Sequence, residues 1–137
     1  MALNEVFKEG NHLSAPVPDG TLSGTPLRIG ILNAVAETDE GGATTNQNVI
    51  NGVAQKTGGV GNADNFASIS HVGVWRVPVN GALAGYGTPV YITGAGALTV
   101  TASGNFPFGA ALSVKGAGTG PAVVKVAPFG FIAAASA

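Results

Sequence analysis

The feature that most constrains this chain is a repeated alternation of side-chain type in short runs, each closed by a glycine-rich turn. In the C-terminal half, Phe106, Phe108, Ala110, Leu112 and Val114 share one phase, and Pro107, Gly109, Ala111 and Ser113 the other. Ala122, Val124 and Val126 alternate with Val123, Lys125 and Ala127. Leu98 and Val100 alternate with Thr99 and Thr101, and Val90 and Ile92 with Tyr91 and Thr93. A period of two sends successive side chains to opposite faces, which is the pattern of a half-buried strand. Between these runs lie Gly94-Ala95-Gly96, Ser103-Gly104-Asn105 and the glycine-rich stretch from Gly116 to Pro121. Glycine supplies the positive φ that tight turns need. Strands at this spacing predict an all-β fold, a small antiparallel β-sandwich or partly open barrel.

Upstream, Leu27, Ile29, Ile31 and Val35 alternate with Arg28, Gly30, Leu32 and Ala34, which predicts one strand. A longer strand is predicted from Ser68 to Val79. Its apolar phase moves from Val72 and Val74 to Trp75, Val77 and Val79, so a bulge or bend is expected between Gly73 and Arg76. Glu37 to Asn65 is rich in Gly, Asn, Thr and Gln and reads as a long surface loop. Within it, Val49, Ile50, Val53 and Ala54 trace one helical face interrupted by Gly52. A loop this long in a compact domain usually serves function or is disordered. The chain thus divides into an extended N-terminal arm (1–19), a β-domain (20–128) with a long polar loop at about 37–65, and a C-terminal tail (129–137).

Charge narrows the function. Only 9% of the 137 residues are Asp, Glu, Lys or Arg, and six basic against seven acidic side chains leave a net charge of −1. An average soluble domain has about 25%. A nucleic-acid binder needs a basic stripe, so nucleic acid is not expected as a partner. Mean hydropathy is positive, which fits a surface buried against other chains. The run from Val77 to Val114 carries no charge at all, but Pro78, Pro89, Pro107 and many glycines break it. No helix can be built from it, and a membrane span is not expected. Residues 1–10 carry Glu5, Lys8 and Glu9 and lack the apolar stretch of a signal peptide.

The chain is poor in catalytic chemistry. With no cysteine, disulfides, thiol catalysis and cysteine-based zinc sites are excluded. The two histidines are His12, in the arm, and His71, expected in mid-strand, and their spacing matches no zinc motif. Glu37, Asp39 and Glu40 cluster before Gly41-Gly42 but lack the alternating ligands of a calcium loop, so they read as a solvated loop. Gly58-Gly59-Val60-Gly61 and the glycines of 116–120 are not followed by Lys-Ser or Lys-Thr and read as turns rather than phosphate cradles. No enzyme activity, cofactor or metal is expected.

The apolar groups that stand out are at the ends. Leu3, Val6 and Phe7 in the arm, and Phe129, Phe131 and Ile132 in the tail, are bulky where termini normally fray. They are candidate contacts, with the arm or tail docking on the chain's own sheet or on a neighbour. Trp75, on an apolar strand, joins them as a candidate for core or interface packing. Trp75, Tyr86 and Tyr91 also define an alternative, a stacking face for carbohydrate or a cell surface.

Several segments together resemble a known family. They run Pro26-Leu27-Arg28-Ile29-Gly30-Ile31-Leu32-Asn33-Ala34-Val35-Ala36, then Val72-Gly73-Val74-Trp75-Arg76-Val77-Pro78, then Ala82-Leu83-Ala84-Gly85-Tyr86-Gly87-Thr88-Pro89-Val90-Tyr91. Leu98-Thr99-Val100-Thr101, Phe108-Gly109-Ala110-Ala111-Leu112 and Val123-Val124-Lys125-Val126 complete the series. Over about residues 20–128 this resembles the small capsid cement, or head decoration, proteins of tailed bacteriophages. The loop at 37–65 is longer, and the Phe-rich tail extends further, than the resemblance accounts for. The resemblance implies a β-rich structural protein on the outer capsid surface of the virion. It would act as a homotrimer, with the major capsid protein as partner and no catalytic residues. A tail or baseplate structural subunit shares nearly all of these features.

Overall fold

The computed structural model describes residues 10–41 and 65–127, together with the backbone of two short strands at 49–50 and 53–54. Every regular element among them is a strand: β1 (His12–Pro16), β2 (Pro26–Ile29), β3 (Leu32–Ala36), β4 (Val49–Ile50), β5 (Val53–Ala54), β6 (Phe66–Ser70), β7 (Val74–Asn80), β8 (Thr88–Ile92), β9 (Leu98–Thr99), β10 (Phe106–Ala111) and β11 (Thr119–Val126). They form a four-stranded sheet in the order β1-β6-β3-β2, a closed five-stranded barrel in the order β10-β11-β7-β9-β8, and the separate β4–β5 ribbon. The all-β fold expected from the alternation is the one observed. The barrel closes through β9, which pairs antiparallel with β8 and parallel with β7.

Several local expectations change. The single strand expected over 27–35 is a hairpin, with Ile29 paired to Leu32 and only Gly30 and Ile31 between them. Gly30 has φ +62°, as the first central residue of a type II′ turn requires, and Ile31 is exposed. The long strand expected over 68–79 is two strands in different bodies. β6 belongs to the sheet and β7 to the barrel, and the chain passes between them at 71–73, where Gly73 takes φ +103°. The bend expected between Gly73 and Arg76 is thus found at Gly73, and a register shift lies between Pro107 and Gly109 of β10, opposite β8. This shift puts both Phe108 and Ala111 in the core and ends the simple alternation there, leaving Val114 exposed. Val49, Ile50, Val53 and Ala54 form antiparallel strands rather than a helical face. Part of the expected arm is also sheet, since β1 pairs along its whole length with β6.

The barrel core comprises Val77, Val79, Leu83, Val90, Ile92, Leu98, Phe108, Ala111, Ala122, Val124 and Val126, and Val35 enters it from β3. A second cluster of Val17, Leu27, Ala34, Ala36, Ala67 and Ile69 lies on the other face of the sheet. β3 is therefore covered on both faces: Asn33 and Val35 point to the barrel, Ala34 and Ala36 to the second cluster.

Prolines sit where the ladders can spare a donor. Pro78 and Pro121 face each other across β7 and β11. Gly81 N–H donates to Gly118 C=O nearby at 3.0 Å, so by the alternation of an antiparallel ladder the 78/121 pair exchanges no hydrogen bonds. Pro16 and Pro26 lie on the two edge strands of the sheet. The hydrogen-bonded pairs Val17–Asn65 and Thr25–Ala36 beside them place both proline nitrogens on the outer edge. Each removes a donor that would otherwise invite strand addition.

Candidate functional site

The junction between sheet and barrel is built around Asn33, which is 0% exposed. Its Nδ2 donates to Pro107 C=O at 3.0 Å and to Ala127 C=O at 3.0 Å, so one amide ties β3 to β10 and to the end of β11. His71 Nδ1 lies 2.8 Å from the Asn33 carbonyl oxygen and must carry the proton there, because a carbonyl only accepts. His71 N–H in turn donates to Asn11 C=O at 2.8 Å. The buried His71 lies in the bend after β6 rather than in mid-strand, and it holds the chain where it leaves the sheet. Arg28 completes the junction: its guanidinium carbon stands 4.0 Å from the centre of the Phe106 ring. Burial lowers the pKa of Arg28 from its ordinary value.

The acidic residues at 37–40 do not behave as a solvated loop. Glu37 Oε1 lies 2.5 Å from His12 Nδ1, and Asp39 Oδ1 accepts from Ser23 N–H at 2.8 Å. Glu40 is only 2% exposed, and its Oε2 accepts from Asn65 N–H at 2.6 Å. These carboxylates fasten β1, the 21–25 turn and the entry to β6 to one another. Among the described residues no three metal-ligating side chains come together.

The aromatic residues do not share a face. Trp75 is half-buried, belongs to the inward phase of β7 and packs against the barrel core, and its Nε1–H donates to Val72 C=O at 3.0 Å. Tyr91 lies on the outward phase of β8, between the inward Val90 and Ile92. Tyr86 stands alone in the turn before β8, 82% exposed. A stacking platform needs its rings on one surface, and these three are separated. The terminal candidates Leu3, Val6, Phe7, Phe129, Phe131 and Ile132 lie outside the described residues.

What the barrel does present is a pair of segments whose one charged side chain is Lys115. The segments 83–87 and 111–115 run antiparallel, joined by Leu83 and Lys115 through N–H···O=C bonds of 3.0 and 3.1 Å and by Gly87 N–H to Ala111 C=O. Tyr86 (82% exposed) and Val114 (71%) project from this pair of segments. The Lys115 ammonium keeps its charge but is held in place, since Nζ donates to the carbonyls of Gly81, Gly116 and Gly118 at 2.7, 2.7 and 2.6 Å. A groove of about 430 Å³ opens along β10 and β11, lined by Pro107, Gly109, Ala110, Lys125, Val126 and Ala127.

Asn33, Glu40 and Lys115 were not singled out as polar anchors in the sequence. The one available signal was for Lys115, a lone cation inside a glycine-rich turn whose carbonyls have no side chains to shield them. Comparison with family models, with curated protein sequences and with solved structures returns no match to this chain.

Proposed function

We propose that this protein is a structural virion subunit that binds the outer surface of a phage capsid as a homotrimer and stabilises contacts between major capsid protein subunits. The observation that carries this reading is the apolar surface of the segments 83–87 and 111–115, where Tyr86 and Val114 are exposed and Lys115 is the one charge. Tyr86 and Val114 lie on facing segments of that antiparallel pair, and exposed large apolar side chains on one patch mark interaction surfaces. The segments that resemble head decoration proteins supply the kind of partner, and they fall on the β2–β3 hairpin and on strands β7 to β11. Three modest contacts on one trimer sum to tight attachment without a single strong site. No step of this function needs a catalytic group.

The test is cosedimentation of the purified protein with expanded, undecorated phage heads, alongside its mass by sedimentation equilibrium. Saturable binding of a trimer is expected. Tyr86→Ser with Val114→Ser should lower the bound copies at least several-fold while leaving the urea midpoint unchanged, because both side chains are exposed. Removing residues 1–9, which leaves β1 intact, tests the arm contacts Leu3, Val6 and Phe7 in the same assay. A protein that ignores heads refutes the reading, and binding to isolated tails instead would make it a tail subunit.

A further inference from the structure

The charges of this chain are segregated. All seven Asp and Glu residues precede residue 65, whereas residues 65–137 carry Arg76, Lys115 and Lys125 and no carboxylate. Lys115 is held by three backbone carbonyls. Arg76 and Lys125 are both exposed, on adjacent barrel strands, and neither has a carboxylate partner among the described residues.

The register places them together. Arg76 pairs with Val123 and Val74 with Lys125. The outward phase of β7 and β11 thus carries Arg76 and Lys125 on one diagonal, about 7–8 Å apart. Like charges on neighbouring diagonal positions repel, and neither has a carboxylate to offset it among the described residues. An anion brought from outside relieves that repulsion and engages both. Beside them lies the groove of about 430 Å³, lined by Lys125 and otherwise by Pro107, Gly109, Ala110, Val126 and Ala127, none of them charged. Gly109 lets β10 lie close against β11 beside it: a Cβ there would lie 2.0 Å from the Lys125 carbonyl oxygen.

We propose that this face docks an acidic segment of a protein partner, its carboxylates on Arg76 and Lys125 and one bulky apolar side chain in the groove. The barrel is closed and offers no strand edge there, so recognition is by side chains and not by strand addition. Two cations beside an apolar groove suit a short acidic and aromatic peptide. They are too few to track a phosphate backbone, which takes a longer basic surface. Only the identity of the partner, the capsid subunit, rests on the functional reading above.

The experiment is calorimetric titration of the full chain with the peptide acetyl-GEFELEG-amide, with its lysine counterpart acetyl-GKFKLKG-amide, and with a dodecamer of deoxythymidine. Saturable binding of the acidic peptide is expected, with none of the basic one. Arg76→Glu with Lys125→Glu should weaken it at least tenfold, and so should raising salt from about 0.05 to 0.5 M. Ala127→Trp, which fills the groove and leaves the charges in place, should weaken it independently. Unchanged affinity in the charge-reversed protein overturns the proposal, as does the absence of binding. Equal binding of the oligonucleotide also overturns it, since the face would then be a generic polyanion contact. No capsid enters this assay, so its failure removes the docking face while head binding stands or falls by cosedimentation.

Discussion

Replacing Asn33 by alanine removes the donor that ties the sheet to the barrel. In the native protein Nδ2 satisfies the carbonyls of Pro107 and Ala127, each at 3.0 Å, in a site that is 0% exposed. The variant leaves two part-buried carbonyls without that donor, at about 1–3 kcal/mol each. Against this, Asn33 Oδ1 has no hydrogen-bond partner in its buried position, so removing it returns about 1–2 kcal/mol of desolvation. The centre of these ranges is a net loss of about 2–3 kcal/mol. With m near 1–3 kcal/mol/M, urea unfolding followed by tryptophan fluorescence should show the midpoint falling by roughly 1–2 M with m unchanged. Asn33→Asp should cost more at neutral pH, because a carboxylate there faces two carbonyl oxygens with no proton to offer. Burial among acceptors raises that carboxyl's folded pKa above its unfolded value of about 3.9. The aspartate variant is therefore most stable at acid pH and loses stability as pH rises through the raised folded pKa. A loss below about 1 kcal/mol for Asn33→Ala would refute the reasoning, since the two carbonyls would then be finding other donors.

Other substitutions test the backbone. Gly81 has φ +113° and its Cβ would lie 2.3 Å from Val100 Cγ2, so Gly81→Ala should cost about 2–4 kcal/mol in urea unfolding. Adding Val100→Ala should recover the steric part but not the φ strain. Gly109→Ala should prevent β10 from closing on β11 and abolish the cooperative transition by near-ultraviolet circular dichroism, whereas Gly85→Ala, with nothing within 4 Å and an ordinary φ, should stay within about 0.5 kcal/mol of the parent. Lys115→Met removes three charge-assisted hydrogen bonds in a half-exposed site, and a loss of about 1–2 kcal/mol by thermal or urea melting is expected. An unchanged midpoint there would mean that water serves the Gly81, Gly116 and Gly118 carbonyls equally well.

The sequence by itself determined the strand content and most of the barrel strands, because an alternation of period two is a local property that each run carries alone. Val90 and Ile92, Val124 and Val126 point inward as their phase requires. The same rule misread residues 27–35, where a two-residue turn at Gly30-Ile31 preserved the look of one continuous strand. It also ran 68–79 together, although the chain there leaves one body for the other. Alternation records which side of a strand a residue occupies and not which sheet that strand joins. Only the tertiary structure decided the closure through β9, the register shift in β10 and the work of the polar residues. Asn33 meets carbonyls 74 and 94 residues away, and Glu40 meets an amide 25 residues away. No local pattern marks such partners, because each is chosen when distant segments close on one another and a buried polar group must find its complement. The pairing of Arg76 with Lys125 on one face is of the same kind. Their charges are legible in the chain, but their shared diagonal exists only in the register of β7 against β11.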